Sequence, residues 1–174
     1  MRDHPRPTQD RPRAGLDWKD RLSAETLSIL DTAQTYAERA GCRGRTGTDH
    51  LLLSLLDDPL IQDEVRGAGV DAADLRTRVE RAAAGEDRFI LELETMGTDQ
   101  AQWHPTPAVT LTAVPYTYLA MGAITGARRV AARLGVEEAA PLHLYISLVE
   151  QAQGVAGMAL RALGITPSTL LEKA

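Results

Sequence analysis

The sequence predicts an all-α protein built as two related helical halves, and three observations carry that expectation. Apolar residues recur at helical rather than alternating spacing through most of 22–84 and 116–174. Hydroxyl or aspartate caps open the apolar stretches and glycines close them. Finally, "GTDHLLLSLL", residues 47–56, has an echo in "APLHLYISLV", residues 140–149, with His, Leu, Ser and Leu in the same order.

Residues 1–20 hold three prolines, alternating charges and little to bury beyond Leu16 and Trp18, and are expected to form a flexible tail. From Leu22 the pattern turns helical. "LSAETLSILDTAQTYAERAG" places Leu22, Leu27, Leu30, Ala33, Tyr36, Ala37 and Ala40 on one broad face. Ser23 can satisfy an orphan amide of the first turn, and Gly41 is the stop. The polar loop "CRGRTG" leads to Thr48, a second candidate cap, and a short helix over 49–56. Pro59 opens a third helix that Gly69 ends, and Asp71 is expected to cap a fourth within "VDAADLRTRVERAAA".

The second half repeats this plan. Setting Gly135 of "YTYLAMGAITGARRVAARLG" against Gly41 pairs Tyr116 with Leu22, Thr117 with Ser23, Ile124 with Leu30 and Ala127 with Ala33. The following loop is one residue shorter, after which His143 falls against His50. Farther on, "DDPLIQDEV" is two residues shorter than "EQAQGVAGMAL", a change that should reshape any groove beside the second helix. The predicted organisation is a tail over 1–20, a first four-helix repeat over 22–84, a linker over 85–115 and a second repeat over 116–174. The repeats should pack as one pseudo-twofold globule, because each carries more apolar face than it can bury alone. In the linker, "RFILELE" and "AVTLTAV" cluster β-formers and suggest a short hairpin, with an extended linker lying over the repeats as the alternative.

Composition agrees and narrows the function. Apolar residues make up 44% of the chain but aromatics only 4%, so the core must come from Leu, Ala, Val and Ile, which suits closely packed helices. No run of about 18 apolar residues occurs and the N-terminus lacks a secretory apolar stretch, so a cytoplasmic protein without membrane contact is expected. The net charge of −5 gathers in 22–115, an acidic body that repels nucleic-acid phosphate. A single cysteine, Cys42, excludes a disulfide framework. Although Arg43 and Arg45 flank it, no Cys-His-Asn arrangement is discernible and it reads as a bystander thiol. Leu144, Tyr145, Ile146, Leu148 and Val149 read as core before groove.

The paired stretches resemble the tandem repeat of the Clp N-terminal domain, the helical module ahead of the ATPase rings of ClpA- and ClpC-type unfoldases. That repeat typically reads Phe-Thr, then Leu-Gly-His, then Gly-Thr-Glu-His-Leu-Leu-Leu-Gly-Leu, followed by a Gly-Val-Ala…Ala-Leu-Gly-Val helix. "GTDHLLLSLL" is close to it in the first half and "GVAGMALRALGIT", residues 154–166, in the second. The sequence contains no Gly-x-x-x-x-Gly-Lys-Ser/Thr phosphate loop, so the expectation is a recognition module without the motor, not an enzyme and needing no metal or other cofactor.

The resemblance implies partners and a site. The partners would be Clp ATPase substrates or peptide ligands, with the module acting as adaptor or decoy; the alternative is a regulatory partner docked on a Clp ATPase through the linker, with no ligand pocket in use. In ClpC-type relatives the motif glutamate receives the guanidinium of phosphoarginine, while the cap of the first helix and a nearby basic residue face the phosphate. The matching residues are Arg21, Ser23 and Asp49, with Thr48 beside them, and Asp49 is one methylene shorter than the family's glutamate. In the second half Leu142 stands where the acid belongs and only Thr117 matches the cap, so that pocket is expected to have lost the chemistry. His50 and His143 are read as structural histidines hydrogen-bonded between helices rather than metal ligands.

Overall fold

A computed structural model of the chain describes residues 19–42, 45–85 and 116–168. Residues 1–18 of the expected tail, the linker hairpin and residues 169–174 lie outside the described residues. Among those residues the protein is all-α: seven helices and no sheet, with only two isolated β-bridges. The helices are α1 (Ala24–Arg39), α2 (Thr48–Leu55), α3 (Pro59–Gly67), α4 (Ala72–Ala83), α5 (Tyr118–Arg133), α6 (Pro141–Gln151) and α7 (Gly154–Ala162).

Local chemistry sets their ends. Ser23 caps α1 by accepting the Thr26 N–H, and Thr117 caps α5 by accepting the Ala120 N–H, both at 3.2 Å. Each of these helices runs sixteen residues and stops before a left-handed glycine, Gly41 or Gly135. Asp58 caps α3 with Pro59 at its first position, and Asp71 caps α4 through the N–H groups of Ala73 and Asp74. Thr48 is not the cap of α2. Gly47 holds that position, and the Thr48 hydroxyl accepts the Ala156 N–H at 3.3 Å, tying the start of α2 to α7.

The core is centred on α2, all eight of whose residues are buried. With no residue of this helix facing water, Leu51, Leu52 and Leu55 each contribute about 2 kcal/mol by leaving water. α1 packs on α2 and α5 packs on α6, while α7 reaches across to α2 and α4, so the two halves share one core. The α1 face agrees with the sequence pattern at Leu30, Ala33 and Ala37, whereas Ala40 is exposed and Ile29 is buried in addition.

The same bonds recur in the two halves. Ser54 donates to the Ile29 carbonyl and Ser147 to the Ala123 carbonyl, both at 2.8 Å. Past α3 the Val70 N–H returns to the Val65 carbonyl, and past α7 the Ile165 N–H returns to that of Leu160. The two bridges, Leu22 with Ala139 and Thr46 with Tyr116, are also equivalent, with the halves exchanging roles.

Candidate functional site

The segment leading into each long helix is bonded to the segment leading into the other half's second helix. On one side the Ser23 N–H donates to the Ala139 carbonyl at 3.1 Å, the Ala139 N–H donates to the Arg21 carbonyl at 2.8 Å, and the Thr26 hydroxyl donates to Ala139 at 2.7 Å. On the other, the Thr117 N–H donates to the Thr46 carbonyl at 2.9 Å. Arg21 and Ser23 are thereby joined to the start of α6, which carries Leu142, and Thr117 is joined to the start of α2, which carries Asp49. The sequence groups Arg21, Ser23 and Asp49 within one half; the backbone bonds of Arg21 and Ser23 run to Ala139 of the other. Arg21 is exposed and sits at φ +64°, a left-handed geometry that a non-glycine residue adopts at a cost of about 1 kcal/mol.

Asp49 has no exposed surface. It lies inside the molecule at the first turn of α2, where the partial positive charge of the helix start favours a carboxylate. Leu142, its counterpart, is half-buried, so the acid is inward and the leucine nearer to solvent. Asp49 Oδ1 is 3.3 Å from His50 Nδ1, close enough for an ion pair if the imidazole were charged. That nitrogen already accepts the Gly47 N–H at 3.0 Å, however, and an accepting nitrogen has no proton to give to Asp49. His143 Nδ1 accepts the Ala140 N–H at 2.9 Å in the same way. Through Nδ1, both histidines therefore satisfy an orphan N–H at the start of their own helix. Burial pushes the His143 pKa below its ordinary value.

Two surface grooves occupy equivalent places. The first, of about 500 Å³ between α1 and α2, is lined by Ala24, Glu25, Ser28, Ile29, Thr32, Ser54 and the turn residues Asp57 and Asp58. Its acids are engaged: Asp57 takes Arg76 at 2.7 Å and the Tyr36 hydroxyl at 2.8 Å, and Asp58 caps α3. The Glu25 backbone N–H and the Ser23 hydroxyl hold the Glu25 carboxyl below the usual range.

The second groove, of about 710 Å³, lies between α5 and α6. Gly122 and Gly126 stand where the first half has Ser28 and Thr32, and Arg129 and Arg133 flank it. The two residues added in this half let α6 run eleven residues against eight in α2, so Glu150 and Gln151 are helical here while Asp57 and Asp58 form a turn. Arg133 pairs with Glu150. Gln151 Nε2 donates to the Leu119 carbonyl at 3.1 Å, and its Oε1 is buried with no hydrogen-bond partner. A carbonyl can only accept, so that contact fixes which end of the amide is the oxygen. Sequence reasoning did not single out Arg129 or Gln151. The available signal was the glycine pair in "GAITG", four residues apart on one helix face.

No family model matches the sequence. A solved structure described as "Preliminary structural investigations of a malarial protein secretion system" has the same general fold, with a TM-score of 0.62 at 14% identity over 88% of this chain and 91% of that chain. At that identity the likeness is one of fold. Among the described residues no helix is long and apolar enough to cross a membrane.

Proposed function

We propose that the protein is a non-enzymatic protein- and peptide-binding module linked to Clp-dependent proteolysis, acting as an adaptor that feeds a Clp ATPase or a decoy that competes with it. The single observation behind this reading is the reciprocal exchange of lead-in segments, Leu22 with Ala139 and Thr46 with Tyr116. We infer from it, together with the matched caps and serine bonds, an internal duplication of the Clp N-terminal kind. "GTDHLLLSLL" and "GVAGMALRALGIT" supply the motif likeness.

Phosphoarginine bound at Asp49 is not part of the proposal. A guanidinium cannot reach an acid with no exposed surface unless the core opens, and an ion moved there would lose its hydration. What favours a binding role is the open, polar α5–α6 groove, flanked by Arg129 and Arg133.

The test is capture by the immobilised full-length protein from a lysate of its own host, followed by mass spectrometry. Recovery of a Clp ATPase or its degradation substrates is the expected result, and a catch free of both overturns the proposal. In parallel, calorimetry with free phosphoarginine should give no heat at about 1 mM, a concentration that detects even weak binding.

A further inference from the structure

We draw no further inference here: the strongest candidate, the acidic groove between α1 and α2 lined by Glu25, Asp57 and Asp58, carries nothing, because Asp57 and Asp58 are already engaged within the chain and nothing in the structure shows what covers the groove.

Discussion

The starts of α2 and α6 make the most instructive comparison in the molecule. Both present a histidine whose Nδ1 accepts an N–H three residues earlier, and both lie beside the lead-in of the other half's long helix. One position before the histidine they diverge: Asp49 is sealed inside, while Leu142 is half-buried. An acidic residue in the interior and an apolar one nearer the surface reverse the usual distribution. The histidine cap can be kept by either half because it needs only a local N–H. The acid depends on everything packed around α2, and so it reports the tertiary setting rather than the motif.

The largest effect expected from perturbing that contrast is at the acid itself. Asp49→Ala should destabilise the fold by about 3 kcal/mol, since the groups around a buried carboxylate lose their partner, while Leu142→Ala should cost only about 1 kcal/mol at its half-buried position. Urea unfolding of the two variants measures the difference; equal costs would show that burial does not separate the two starts.

The grooves give the next contrast. A Cβ on Gly126 would fall 2.1 Å from Ser147 Oγ, so Gly126→Ala must displace the serine from the Ala123 carbonyl. A loss of about 2 kcal/mol is expected from crowding and the broken bond. Thr32, the matching residue, already carries a side chain and hydrogen-bonds its own helix at the Ser28 carbonyl. Thr32→Ala should therefore be neutral or stabilising by about 0.5 kcal/mol through helix propensity. Melting temperatures of the pair check this.

Within the core, Tyr145 stands where α2 has Leu52, and both are fully buried. The Tyr145 hydroxyl has no hydrogen-bond partner, and burial raises its pKa. Tyr145→Phe removes an unsatisfied polar atom and should raise stability by up to about 1 kcal/mol; a measured loss would reveal an unseen partner.

The smallest effect is pH-dependent. Because burial lowers the His143 pKa in the folded protein, the unfolded chain binds the proton more readily. The stability associated with the neutral ring is present above the ordinary value of 6.5 and is lost as pH falls from there toward the lowered folded value. Stability measured against pH should decline on the acid side of neutrality, and more shallowly in His143→Asn.

Much of the fold could be read from residues whose signals are local. Ser23, Thr117, Pro59 and Asp71 lie at helix starts, and Gly41 and Gly135 at helix ends, because these signals involve only three or four neighbouring residues. Thr48 was misread for the same reason: it looks like a cap, but Gly47 takes that place and the hydroxyl serves a contact with α7, distant in sequence. The burial of Asp49 was not legible, since an acid at a first turn looks alike whether the helix faces water or core. The leucines of "TDHLLLSL", spread over more than half of the helix circumference, were the available hint. The pairing of Arg21 and Ser23 with α6 had no side-chain signature, because backbone groups make it.

The exchanged bridges bear on what would happen if the polypeptide were severed between the halves. Each fragment would keep its own caps but lose the strand-like partner for its leading residues, and would expose the leucines that α2 and α7 hide together. Neither piece is a self-sufficient fold, yet the surfaces they bare are complementary. Mixed, the fragments should find one another and rebuild the native bundle, at a concentration that replaces the proximity a covalent link supplies.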